Sequence, residues 1–114
     1  MDLTRKRCVP CEGGVPKLSA EKAGELLGEL PPGWRMEGGR LRRTFQFRDF
    51  VQAMGFVNRM AEVAEQEGHH PDFTVHYSRV EVELWTHAAD GLTENDFILA
   101  AKITPKALAG AGPG

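Results

Sequence analysis

The feature that most constrains this chain is a helix that can be read directly at residues 50–67. Phe50, Ala53, Met54, Val57, Met60, Ala61 and Ala64 recur at helical spacing, and Phe56 and Val63 widen the stripe. Asp49 is placed to cap its start, with Gln52 at the capping-box position, and Gly68 supplies the left-handed residue that ends it. On both sides of this helix the apolar period changes to two. Before it, Trp34 and Met36 share a face over 34–37 and Gly38-Gly39 reads as a hairpin turn. Leu41, Phe45 and Phe47 then alternate with Arg40, Arg42, Thr44 and Gln46 over 40–47. Arg43 falls on the apolar side, which predicts an edge position or a snorkelling side chain. After the helix, Phe73, Val75 and Tyr77 take odd positions and Val80, Val82 and Leu84 even ones. The phase flips at Ser78-Arg79, which predicts a bulge or a very tight bend. Glu81, Glu83, Trp85 and His87 share the other face of the longer strand, which turns Trp85 toward a ligand pocket or a subunit contact.

Two further helices complete the pattern. One spans 20–30, capped by Ser19 and stopped by Pro31-Pro32-Gly33; Trp34 is expected to pack on it. The other spans 94–103, capped by Thr93 with Asp96 in its first turn, and turns Phe97, Ile98, Leu99 and Ala101 inward before Pro105 breaks the period. The order is α-β-β-α-β-β-α. The strand–strand links are too short for parallel crossovers, so the expected class is α+β, a four-stranded antiparallel sheet with helices packed on one face. At 114 residues the chain is one domain. Gly and Pro content divides it into a flexible N-terminal arm at 1–17, a domain at 18–104 and a C-terminal tail at 105–114, whose last five residues are expected to be disordered.

Charge and hydropathy exclude several function classes. Fourteen basic against sixteen acidic residues leave no broad basic field for a nucleic-acid backbone. The Arg40–Arg48 cluster reads as the solvated face of a hairpin. No apolar run is long enough to span a membrane, and no secretory leader is visible, so a cytoplasmic location is expected. Cys8-Val9-Pro10-Cys11 is a lone CxxC, read as an arm with two reduced thiols or as half a metal site shared between subunits. The apolar faces exceed what one small core hides, which predicts a homo-oligomer.

The chemistry gathers around His69, His70 and His87. The first two follow a helix end and precede Pro71; the third ends the long strand. A helix end and a strand end can meet at one rim of such a sheet. Glu62, Glu65, Glu67 and Asp72 crowd the pair, and nearby carboxylates favour the imidazolium. Three readings stand on the residues alone: surface or helix-capping histidines, a zinc site completed by His87, His76 or Asp90, and an acid/base site.

The spacing Glu65, His69-His70-Pro71, Tyr77, His87, Asp96 resembles the signature of the pterin-4a-carbinolamine dehydratase family, also known as the dimerisation cofactor of a homeodomain transcription factor. The likeness covers about 18–103 and includes the Trp34 strand, the Phe45/Phe47 strand and Gly91-Leu92-Thr93. It implies dehydration of 4a-hydroxytetrahydropterin (4a-hydroxytetrahydrobiopterin) to quinonoid dihydropterin, a hydro-lyase step in tetrahydrobiopterin recycling. It implies His69 and His87 as the acid/base pair and His70 as the group that holds and polarises the pterin. Asp96 and Glu65 become orienting residues, each with a plainer reading as a helix cap or a solvated helix residue. No metal or organic cofactor is implied. The implied partners are the pterin substrate, a second copy in a homodimer or homotetramer, and a functional link to an aromatic amino-acid hydroxylase. The alternative the family allows is a non-enzymatic interaction or dimerisation cofactor. Gly68, Phe73, His76 and Ala88 depart from residues common in the family.

Overall fold

The computed structural model describes residues 2–9 and 16–110, the last three by backbone alone. Helix α1 (Ala20–Gly28) opens on Ser19, whose Oγ accepts the Lys22 amide at 3.1 Å. Strands β1 (Arg35–Glu37) and β2 (Arg40–Gln46) are joined by Gly38 and Gly39 at φ +60° and +74°, the two positive values that a twist-matched two-residue hairpin requires. Helix α2 (Phe50–Glu67) starts where Asp49 Oδ1 accepts the Gln52 amide at 2.9 Å and ends at Gly68. Strands β3 (Asp72–His76) and β4 (Arg79–Leu84) are linked by a two-residue turn, with Tyr77 at φ +55°. The phase flip in the sequence is therefore a tight bend. Helix α3 (Glu94–Gly110) closes the fold.

The sheet runs β1-β2-β4-β3 and every pairing is antiparallel. Leu41 faces Leu84, Phe45 faces Val80 and Phe73 faces Val82 across the ladders. The helix-side face carries Leu41, Phe45, Val80, Val82 and Leu84, all buried against Phe56, Val57 and Met60 of α2. Phe45 and Phe47 both lie against the Phe56 ring, at 4.6 and 5.2 Å between centroids. Of the stripe expected on α2, Phe50 is half exposed and Ala61 is exposed.

Three placements differ from the sequence expectation. Arg43 sits on an inner strand, not an edge; its guanidinium lies 4.5 Å from the Phe45 ring centroid, and burial pulls it below its ordinary pKa. Trp34 lies outside β1, buried in one core cluster with Ala23 and Leu26 of α1, and its indole N–H donates to Thr104 Oγ1 of α3 at 2.8 Å. Helix α3 does not stop before Pro105 but carries it inside, through Gly110. A mid-helix proline costs about 3 kcal/mol. The offset comes from packing: Phe97, Ile98, Leu99, Ala100 and Ile103 are all buried, and Thr104 Oγ1 donates to the Ala100 carbonyl at 2.6 Å.

The stretch expected as an arm lies against α3 over 2–9. Leu3, in a short 3-10 turn (Leu3–Arg5), is buried in the common core. Cys11 falls outside the described residues, as do the final four. Among the described residues no helix is long and apolar enough to cross a membrane.

Gly68 has φ +66° and open space where a Cβ would be. Its replacement by alanine therefore incurs only the left-handed backbone penalty, about 1 kcal/mol. A lower urea midpoint at unchanged slope is the expected result.

Candidate active site

The site begins where α2 ends. The left-handed Gly68 reverses the chain, the His69 amide returns to the Ala64 carbonyl at 3.3 Å, and the His69 ring turns inward until it is 6% exposed. There His69 Nε2 meets Asp96 Oδ1 at 2.6 Å. Asp96 is fully buried in the first turn of α3. Its second oxygen accepts the Thr86 hydroxyl and the Thr93 amide, both at 2.9 Å. The Thr86 and Thr93 hydroxyls also lie 2.9 Å apart. Asp96 thus caps α3 and holds His69 with the same carboxylate. The helix-cap contact expected of Asp96 is present, and the same side chain touches His69.

Thr86 ties this buried centre to the outer face. Strand β4 stops at Leu84, shorter than the alternation to His87 suggested. Thr86 pairs back onto Gly91 (N···O 2.9 Å), and His87 opens a 3-10 turn (His87–Ala89). The strand ends early because Thr86 is held inward by Asp96 while the following loop must return to α3. Trp85 and His87 remain on the outer side, their ring centroids 3.8 Å apart. The Trp85 indole N–H donates to Asp72 Oδ2 at 3.1 Å, and the Arg40 guanidinium lies 4.2 Å from its ring centroid. Asp72 immediately follows the 69–71 loop, so that loop is joined to Trp85 outside and to Thr86 inside.

His70 takes a different environment from its neighbour. Pro71 biases it toward extended backbone, and its ring points to solvent, with Nε2 2.5 Å from Glu65 Oε2. Both partners are exposed. His76 sits at the other end of β3 from Asp72, paired with Glu81 at 3.2 Å, so it does not join the other histidines. Among the described residues no three His, Cys, Asp or Glu side chains converge as a metal site requires.

An open cavity of about 330 Å³ lies along the outer sheet face beside this cluster, lined by Arg42, Thr44, Asp72, Thr74, Glu81 and Glu83 among others. It shares Asp72 with the site, but none of the histidines lines it. Glu83 anchors the adjoining arginines, taking Arg40 at 2.6 Å and Arg42 at 2.8 Å. The arginines read as a solvated hairpin face are partly an ion-pair ladder beside Trp85.

The sequence does not single out Thr86 or Arg40 as site residues, and it marks Asp72 only as one of the carboxylates beside the histidine pair. Thr86 was within reach: it continues the inward phase of Val80, Val82 and Leu84 by one step, where a buried hydroxyl needs a partner. The Asp72–Trp85 contact bridges the β3–β4 hairpin, whereas Arg40 reaches Trp85 and Glu83 only through the pairing of β2 with β4, which no local pattern encodes.

Comparison with known proteins shows the family and the fold. The family described as pterin 4 alpha carbinolamine dehydratase matches residues 16–105. A Nitrosomonas eutropha protein provisionally named pterin-4-alpha-carbinolamine dehydratase is 52% identical over 102 residues, covering 90% of each chain. The crystal structure of a transcriptional coactivator/pterin dehydratase from Brucella melitensis superposes with a TM-score of 0.72 at 38% identity, covering 84% of this chain and 99% of that one. A pterin dehydratase-like protein described as a RuBisCO assembly factor in the alpha-carboxysome superposes at 0.57 and 27% identity, covering 66% of this chain and 89% of that one.

Proposed function

The chain belongs to the pterin-4a-carbinolamine dehydratase family, and on that premise we propose that it dehydrates 4a-hydroxytetrahydropterin to quinonoid dihydropterin and water in pterin recycling. The observation that carries the reading is the buried Asp96 carboxylate, which holds His69 and, through Thr86, the turn bearing His87. In the reaction the bond from C4a to the hydroxyl oxygen breaks. One proton joins the departing hydroxyl and another leaves a ring nitrogen as the new double bond forms. The balance is neutral, so one group that gives a proton and one that takes a proton suffice, and the two ring nitrogens of imidazole let histidine serve in either role. His69 and His87 are this pair. Asp96 fixes the ring orientation of His69, as a carboxylate behind a catalytic imidazole does in other enzymes. His70, steadied by Glu65, holds and polarises the pterin. Trp85 offers a flat apolar surface beside His87 for the bicyclic ring. The scheme calls on neither metal nor organic cofactor.

The test is the rate of dehydration of chemically generated 4a-hydroxytetrahydropterin against buffer alone. The expected result is an acceleration proportional to protein concentration; equality with buffer ends this reading. The rival is a non-enzymatic interaction role on the same scaffold. It gains force from the structural relative described as an assembly factor. Docking alone needs no set of three imidazoles. A stoichiometric protein partner whose capture ignores the histidines would favour the rival, whereas recovery of an aromatic amino-acid hydroxylase with activity present would favour the enzyme.

Self-association belongs to the same proposal. Phe50, Val51, Phe73 and Tyr77 are large and exposed; Phe73 lies on β3 and Tyr77 in the turn after it, and among the described residues no strand pairs with the outer edge of β3. Light scattering is expected to give a multiple of the 12.6 kDa chain mass. A monomer mass at dilute concentration would contradict it.

A further inference from the structure

We propose that the amino-terminal segment 2–9 is a positioning element of the catalytic site, a brace that joins the end of α2 to the start of α3 and thereby sets the His69–Asp96 contact. The inference rests on the dehydratase reading for its kinetic consequence but not for its structural one.

The segment grips both helix ends one or two residues from the groups that matter. The Cys8 amide donates to Glu67 Oε1 at 2.8 Å, two residues before His69. Val9 and Asn95 form a reciprocal pair: the Val9 amide donates to Asn95 Oδ1 at 3.0 Å, and Asn95 Nδ2 donates to the Val9 carbonyl at 2.8 Å. Asn95 directly precedes Asp96 and is itself buried. The Cys8 thiol adds a contact to the Asn95 carbonyl at 3.5 Å. Glu67 is also held from the other side, by Lys102 Nζ at 2.7 Å. Burial works to raise the Glu67 carboxyl, but the Lys102 ammonium and the Cys8 amide outweigh it and leave the carboxyl below its ordinary value. The carboxylate is therefore a fixed anchor at neutral pH. At the far end Leu3 is buried in the core, and the Lys6 ammonium meets Glu94 at 2.8 Å. The apolar anchor dominates, because the ion pair is partly open to solvent.

The later part of the amino-terminal stretch does the same for the loop after His87. The Leu18 amide donates to the Leu92 carbonyl at 2.8 Å, and Lys17 packs where a Gly91 side chain would stand. Gly91 is the residue on which Thr86 closes. Both described pieces of this stretch therefore bear on loops that carry site residues. A segment serving only to cover the core would have no need for a reciprocal amide pair beside Asp96.

Two variants of the full-length chain test the brace. One deletes residues 1–9. The other, Val9→Pro, removes the amide proton that Asn95 accepts, replaces it with a ring carbon that also restricts Cys8, and leaves the Leu3 anchor in place, so it remains informative if the deletion does not fold. The first readout is the His69 ring resonance in nitrogen-15 NMR, which reports the Nε2 contact to Asp96 without reference to activity. The second is steady-state dehydration. Displacement of catalytic groups by a fraction of an ångström to one ångström lowers turnover by about tenfold or more. The expected result is a shifted or broadened His69 resonance with kcat down about tenfold in Val9→Pro. A His69 resonance unchanged in every variant that folds overturns the inference. So does a kcat that holds while stability falls. If the wild-type chain does not accelerate dehydration at all, the functional reading fails, and the resonance alone decides whether the brace exists.

Discussion

Replacing Asp96 with alanine is expected to abolish dehydratase activity and to destabilise the fold by about 3 kcal/mol or more. The carboxylate accepts from the Thr86 hydroxyl and the Thr93 amide and contacts His69 Nε2, all in a fully buried setting. Truncation removes the Asp96 partner of three buried polar groups, among them the Thr93 amide that Asp96 caps at the start of α3, and a buried group left unsatisfied costs about 1–3 kcal/mol. Against a total of about 5–15 kcal/mol for a domain of this size, that is a large share. Asp96→Asn separates the two effects. Its amide oxygen still accepts from Thr86 and Thr93, while its N–H2 group faces His69. Most of the stability is expected to return, without the activity. Urea unfolding and the dehydration assay on folded protein check both halves. A folded, fully active Asp96→Asn would reduce Asp96 to a helix cap.

The double change His69→Ala/His87→Ala is expected to bring dehydration down to the buffer rate. A positioned general acid or base contributes about 10²–10⁴-fold, and here the spontaneous reaction limits how much of that is visible. The single changes are expected to cost nearly as much in rate as the pair, because the two groups act in one proton exchange. They differ in stability. His69→Ala leaves Asp96 Oδ1 without its partner in a buried site, a loss of about 1–3 kcal/mol. His87 is exposed, and its removal is expected to leave the unfolding curve unchanged. Wild-type turnover in His87→Ala would remove it from the acid/base pair.

What the sequence discloses of this fold is what short-range physics determines. Ser19, Asp49 and Gly68 perform the capping roles their types and positions imply, because a cap is decided within one turn of helix. Gly38-Gly39 and the bend at Tyr77-Ser78 are likewise local. Helix α3 is the counter-example. Pro105 is a strong local stop, overridden by burial on several sides that no local pattern reports. The Gly- and Pro-rich amino terminus reads as an arm, yet its described residues are anchored by Leu3 and by contacts to Glu67 and Asn95, more than fifty residues away along the chain. At the site, the three histidines, Glu65 and Asp96 stand out by type and spacing. Their unequal environments do not, since alternation cannot tell that His69 turns inward and His70 outward at adjacent positions.

The inequality among those imidazoles bears on how such a scaffold changes over time. Two of the three sit on the surface, where substitutions cost the fold little. Under the proposed scheme, a lineage that drifts at positions 70 and 87 sheds its chemistry and still produces a well-folded protein, available for duties of another kind. The inward ring at 69 and its carboxylate are retained longer, because losing them leaves cells short of the protein itself.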